Sequence, residues 1–172
     1  MSGERERLPN RRCRRVAVHE AAHAVAAIVL GQPFEFVEIA ERTLDDGREC
    51  RGRVHYADLN PIYPAVELAM GYLAGPIAEA RCSHQSLCGI LLGGGSDDYF
   101  HTKEALEDSR HSYDDAETWT RQLVTKNWGA IVAVANDLIG RGRLEYAEVA
   151  RLSAALGVND GGRLRMIVGR SS

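Results

Sequence analysis

The sequence contains no apolar run that approaches the roughly 20 residues needed to span a lipid bilayer. The uncharged stretch over residues 82–96 is short and rich in glycine and serine. The first residues also lack the apolar segment and the small-residue cleavage site of a secretory signal. We therefore expect a cytoplasmic protein with no membrane span.

Cysteine and lysine are both scarce. The four cysteines are irregularly spaced, which predicts reduced thiols rather than a disulfide framework. Cys82, His84 and Cys88 lie close together, but no CxxC pair completes a four-ligand metal site. The two lysines, Lys103 and Lys126, each follow a threonine, whereas the phosphate-binding loop of an ATPase requires glycine before its lysine. Neither lysine can therefore belong to a Walker A loop.

A large net charge is absent as well, since the formal value of −3 at pH 7 gives no reason to expect a nucleic-acid partner. The exception is local, because the first fifteen residues are rich in arginine. We interpret residues 1–13 as a basic, solvated N-terminal arm, with binding to an anionic partner as the alternative. The length of 172 residues predicts one globular domain, over residues 14–158, followed by a C-terminal tail over residues 159–172.

What the sequence does contain is an HExxH motif, His19-Glu20-Ala21-Ala22-His23. Helical residues i and i+4 share a face, so both histidines can bind one metal ion, while Glu20 lies about 100° around the helix, beside the ion. Zinc lowers the pKa of a water that it binds from about 16 to about 7, and a neighbouring carboxylate can then take the proton. The motif thus predicts Zn²⁺, two histidine ligands and Glu20 as the general base of a peptidase.

A chance match, with both histidines merely packed or hydrogen-bonded in an amphipathic helix, is the alternative. Residues 16–30 are almost wholly apolar, which predicts a buried helix over residues 14–30 that ends at Gly31. Two histidines and a glutamate inside such a helix need polar partners, and a metal ion would supply one. We therefore favour the metal site.

The remaining pattern predicts a mainly α fold with a small β-hairpin. Strand-like runs over residues 34–40 and 51–57 flank an Asp-Asp-Gly turn, and the outer edge of this hairpin could bind an extended peptide. Helices are predicted over residues 65–81, from Ser96 as N-cap toward Asp108, over residues 114–139 with a bend at Trp128-Gly129, and over residues 146–156. Small residues in the helix over 65–81 would let it approach the motif helix closely.

A zinc site that keeps one position open for water needs a third protein ligand. Asp97 and Asp98 stand at the predicted start of a helix, where a rigid carboxylate is well placed. The helix macrodipole gives both aspartates a purely structural explanation as well. Three roles are open for Glu79 on the preceding helix: a third ligand, a hydrogen-bond acceptor for a histidine N–H, or a solvated residue. We favour the hydrogen-bond acceptor.

Three segments resemble, in order and approximate separation, the peptidase domain of the FtsH family. They are the HExxH helix, Leu73-Ala74-Gly75-Pro76-Ile77-Ala78-Glu79-Ala80, and Gly94-Gly95-Ser96-Asp97-Asp98. In that family two motif histidines and a distant aspartate at a helix start bind zinc. The resemblance, which covers about residues 14–150 in patches, therefore implies Asp98 as the third ligand and Asp97 as the fallback.

The sequence departs from the FtsH pattern at two points. Ala22 replaces the usual glycine of the HExxH motif, and Gly75-Pro76-Ile77 replaces the more typical Gly-Gly-Arg. FtsH proteins also carry an ATPase and a membrane anchor, and the motifs of neither are found in this sequence. The resemblance thus implies a remote, stand-alone zinc metallopeptidase domain with the family's helical fold.

Such a domain would hydrolyse a flexible peptide or an unfolded protein segment, unless a separate ATPase partner delivers the substrate. FtsH peptidase domains assemble as hexameric rings, so the resemblance also makes a homo-oligomer a hypothesis for this chain. The alternative function is a non-catalytic, zinc-binding regulatory or protein-interaction module of the same fold. A metal-free helical interaction domain is the third hypothesis.

Overall fold

The computed structural model describes residues 11–44, 47–57 and 63–158. Within these ranges the chain forms seven helices and a three-stranded antiparallel sheet. In chain order the elements are α1 (Arg11–Leu30), β1 (Phe34–Leu44), β2 (Gly47–Tyr56), α2 (Ala65–Ser83), α3 (Leu87–Leu91), α4 (Ser96–Leu106), α5 (Tyr113–Lys126), α6 (Trp128–Arg141), β3 (Arg143–Glu145) and α7 (Tyr146–Ala155).

Helix α1 lies at the centre of the fold. It packs against α2, α6 and the β1–β2 hairpin, and its many alanines let these elements come close on several sides. It ends before Gly31, whose φ of +67° suits glycine, as the sequence predicted. It begins at Arg11, so the last three residues of the predicted arm are helical. Residues 1–10 and the predicted tail over 159–172 lie outside the described residues.

The prediction of a mainly α fold with a small hairpin is confirmed, and the sheet gains one strand. β1 pairs with β2 from Phe34↔Tyr56 to Leu44↔Gly47, with an irregularity between Phe34 and Phe36. The unpredicted β3 pairs with the other side of β1, where Leu144 lies opposite Val37. Among the described strands the order is β2-β1-β3, so β2 lies at an edge of the sheet.

The helical pattern predicted over residues 114–139 is two helices, α5 and α6, which are divided at Asn127, next to the bend predicted at Trp128-Gly129. The side-chain Nδ2 of this buried residue donates to the carbonyl oxygen of Leu123 at 2.8 Å. With φ −104° and ψ 16°, Asn127 is itself not helical. An asparagine side chain that competes for a backbone carbonyl can end a helix without any proline or glycine.

The other helix ends lie close to the predicted positions. Ser96 is the first residue of α4 rather than its N-cap, which is Gly95. Helix α7 ends before Gly157, whose φ is +78°. None of the described helices is both long and apolar enough to cross a membrane.

Candidate metal centre

The rings of His19 and His23 converge from one face of α1. Their Nε2 atoms lie 3.1 Å apart. The Nδ1 atom of His23 lies 2.8 Å from the carbonyl oxygen of Gly71 in α2. Because a carbonyl oxygen can only accept, Nδ1 of His23 carries hydrogen, which leaves Nε2 as the nitrogen whose lone pair a metal ion can use. The ring nitrogen that faces His19 is therefore the one that can bind a metal.

Asp98 brings a carboxylate to the two histidines from the first turn of α4. Its Oδ2 lies 3.2 Å from Nε2 of His19, and its Oδ1 lies 3.5 Å from Nε2 of His23. The buried Thr102 donates from Oγ1 to the backbone oxygen of Asp98 at 2.7 Å, one turn further along α4. The Asp98 side chain is 20% exposed, so the group opens to solvent on this side.

The three side chains have donor types that metal ions bind, and they lie close enough together to share one ion. One ligand atom from each of His19, His23 and Asp98 lies within 4.8 Å of the other two. Zinc binds nitrogen and oxygen at about 2.0–2.2 Å, which separates neighbouring ligands of a tetrahedron by roughly 3.3–3.6 Å. The closest contacts within the group are 3.1 Å between the two histidines and 3.2 and 3.5 Å from them to the two different oxygens of Asp98. The group could therefore bind a metal ion and leave one coordination position for a further ligand.

Glu79 lies where the sequence favoured a hydrogen-bond acceptor. Its Oε2 is 3.0 Å from Nδ1 of His19, and its Oε1 accepts from Nη2 of Arg15 at 2.7 Å. Burial acts to raise the pKa of Glu79, but the hydrogen bonds from His19 and Arg15 hold it below its ordinary value. The charged carboxylate thus orients His19 with Nε2 toward the group, which is how outer carboxylates position metal-binding histidines.

Gly75 allows α2 to lie directly against both imidazoles. A methyl group at this position would overlap Nε2 of His23 and would lie 2.7 Å from Nε2 of His19. The small residues predicted in α2 therefore serve two purposes here: they allow close helix packing, and Gly75 leaves room for the two imidazole rings. Any side chain at position 75 would push the two candidate ligands away from each other or from α2.

Glu20 is buried beside the three candidate ligands and is not one of them. It is 8% exposed, in the space between α1 and β2. Burial raises the pKa of the Glu20 carboxyl above its ordinary value, although the nearby His23 and His19 act to lower it. A buried carboxyl with a raised pKa is a stronger proton acceptor than an exposed one.

Electrostatic coupling links Asp98 and the histidines in the metal-free protein. Burial acts to raise the pKa of Asp98, but the positive charge of His23 and hydrogen bonding to His19 hold it well below its ordinary value. Burial acts to lower the pKa of His19, but its hydrogen bonds to Asp98 and Glu79 raise it well above its ordinary value. Binding of a metal ion by these residues is therefore expected to release a proton.

Other candidates from the sequence lie elsewhere. Asp97, the fallback ligand, is exposed and does not belong to the group. Cys82, His84 and Cys88 form no second metal-binding group within the described part of the chain.

Several site residues escaped the sequence analysis. Arg15 belongs to the arginine-rich segment, yet it precedes His19 by four residues and therefore shares its helix face. The Gly71 carbonyl carries no side-chain signal at all. Gly52 contacts Glu20 from β2, and its signal was a glycine inside a strand, which often marks close approach by another group.

Comparison with known protein families yields no matching model, and comparison with curated proteins yields no matching relative. The motifs and the geometry of the group therefore carry the functional proposal by themselves.

Proposed function

We propose that this chain is an FtsH-like zinc metallopeptidase that hydrolyses peptide bonds in flexible or unfolded polypeptides. The supporting observation is the convergence of His19, His23 and Asp98 from α1 and α4, with ligand atoms within 4.8 Å of one another. Glu20 lies buried beside this group. Three ligands with an open fourth position are typical of catalytic zinc, whereas structural zinc is usually held by four protein ligands.

Zinc held by His19, His23 and Asp98 would supply a Lewis acid that polarises the substrate carbonyl and makes water easier to deprotonate. Glu20 takes the proton from the attacking water as the water oxygen bonds to the carbonyl carbon. The same carboxyl then gives this proton to the leaving amine as the C–N bond breaks. The burial that raises the pKa of Glu20 supports both transfers, because it brings the carboxyl closer to the working pH.

The edge of β2 is the proposed binding place for the substrate backbone. Among the described strands β2 pairs with β1 alone, so its other side can offer main-chain donors and acceptors to an extended peptide. Gly52, in the middle of β2, lies against Glu20. A peptide added at this edge would therefore pass close to the proposed base, and recognition through the main chain demands an unfolded segment.

A cavity of about 300 Å³ next to Gly71 of α2 offers room for a substrate side chain, although the candidate ligands do not line it. Gly71, whose carbonyl oxygen accepts from His23, forms part of its wall. Its lining is mostly aromatic and apolar and includes Pro33, Tyr56, Leu68 and Tyr72. The cavity supports a peptide substrate over a small polar one.

A cytoplasmic location, delivery of unfolded chains by a separate ATPase and assembly into a homo-oligomer are further parts of this proposal. They come from the sequence and its resemblance to FtsH. The alternative, a non-catalytic zinc-binding regulatory or interaction module, predicts bound zinc without peptide cleavage.

Metal removal tests the proposal. The zinc-loaded protein is expected to cleave a library of unstructured peptides, to lose this activity when a chelator removes zinc, and to regain it when zinc is restored. Stably folded globular proteins should stay intact under the same conditions. One bound zinc per chain without cleavage of any peptide would reject the peptidase and leave the binding module.

A further inference from the structure

Gly52 is an unexpected residue at its position in β2. It lies inside the strand, opposite Ile39 of β1, where glycine weakens a strand because it has no side chain to pack. Its φ is not in the left-handed region, so the backbone does not require glycine. Arg51 and Arg53 on either side are exposed, whereas Gly52 is partly buried and turns its other face toward α1. The reason for glycine at position 52 is therefore the room that its missing side chain leaves between β2 and α1.

Glu20 occupies that space. A methyl group on Gly52 would overlap Cγ of Glu20, and it would lie 2.9 Å from Cδ and 3.0 Å from Oε1. Real Cβ atoms do not approach other atoms so closely, so alanine at position 52 would displace either the Glu20 carboxyl or the strand. All three of the atoms nearest to this position belong to the Glu20 side chain.

We propose that Gly52 is a positioning residue whose missing side chain forms the slot that holds the Glu20 carboxyl between α1 and β2. The slot keeps this carboxyl next to the histidines and at the strand edge at the same time. The steric part of this inference stands on the contacts alone. Its catalytic part rests on the proposed role of Glu20 as the base.

Thermal unfolding of four zinc-loaded proteins tests the steric part without any activity assay. They are the wild type, Gly52→Ala, Glu20→Ala and the double variant. Gly52→Ala is expected to lower the unfolding midpoint by roughly 3–10 °C in the wild-type background. In the Glu20→Ala background the same change should leave the midpoint unchanged or raise it, because the overlapping atoms are gone and alanine suits a strand better than glycine.

An equal decrease of the unfolding midpoint in both backgrounds, or no decrease in either, would overturn the proposal that Gly52 forms a slot for Glu20. If Gly52→Ala alone does not fold, the double variant is still expected to fold. The matched control is Gly140→Ala in α6, where glycine is exposed and has no atom within 4 Å of an added methyl group. This variant should not lose stability.

Zinc content and kinetics test the catalytic part. Folded Gly52→Ala should bind zinc in the same amount as the wild type, because Glu20 is not a ligand, and its kcat should fall at least tenfold with little change in KM. Wild-type kcat in this variant would refute the positioning role. If the wild type itself cleaves nothing, the proposed function fails, while the unfolding measurements still decide the slot.

Discussion

The Glu20→Gln variant is expected to keep its zinc and to cleave peptides roughly 10²–10⁴-fold more slowly than the wild type. Glutamine has nearly the same shape as glutamate but cannot accept the proton of the attacking water. Since Glu20 lies outside the group of candidate ligands, the metal should remain. The measurement is kcat on an unstructured fluorogenic peptide, together with the zinc content of the same sample.

Glu107→Gln is the matched control, because Glu107 is exposed at the end of α4 and its change alters the net charge equally. It should cleave at the wild-type rate. Equal cleavage by Glu20→Gln and the wild type would reject Glu20 as the base. Loss of zinc from Glu20→Gln would instead indicate that Glu20 helps to bind the metal.

The second large effect is expected from Asp98→Ala, which should weaken zinc binding at least about 100-fold. This substitution removes one of three candidate ligands, whereas changes in outer partners of zinc ligands cost about 10–100-fold. Competition with a chelating dye, at fixed pH, measures the affinity. Peptide cleavage should fall in parallel at zinc concentrations that saturate only the wild type.

The neighbouring Asp97→Ala is the control for this prediction. Asp97 is exposed in the same helical turn and lies outside the group, so its removal should leave the affinity near the wild-type value. Glu79→Ala should lie between the two, because it removes the acceptor of His19 but no candidate ligand. Full zinc affinity in Asp98→Ala, with loss of zinc in Glu79→Ala, would indicate that the third ligand is Glu79 and not Asp98.

Local patterns predicted the parts of the fold and the site that are close in sequence. The HExxH spacing by itself places His19 and His23 on one helix face, and the apolar residues around them identify α1 as buried. The third candidate ligand is different, because its position depends on how α2 packs against α1 and how α4 packs against α2. Residue-level reasoning therefore left Asp97, Asp98 and Glu79 open, and only the resemblance to FtsH favoured Asp98.

Features that depend on tertiary contacts were not predicted. β3 has three residues, too few for a periodic pattern, and exists because Leu144 pairs with Val37 of β1. The division between α5 and α6 is different, because it is local: it falls at Asn127, beside the bend that the sequence predicted at Trp128-Gly129. Gly52 carries no side chain and acquires its significance from Glu20, which is 32 positions away in the sequence.

The central claim is that His19, His23 and Asp98 together hold one metal ion. Anomalous X-ray scattering at the zinc edge, from crystals of the zinc-loaded protein, tests this claim most directly. We predict a single strong peak per chain within about 2.0–2.2 Å of Nε2 of His19, Nε2 of His23 and one carboxylate oxygen of Asp98. The absence of a peak between these atoms, or a peak held by other residues, would contradict it.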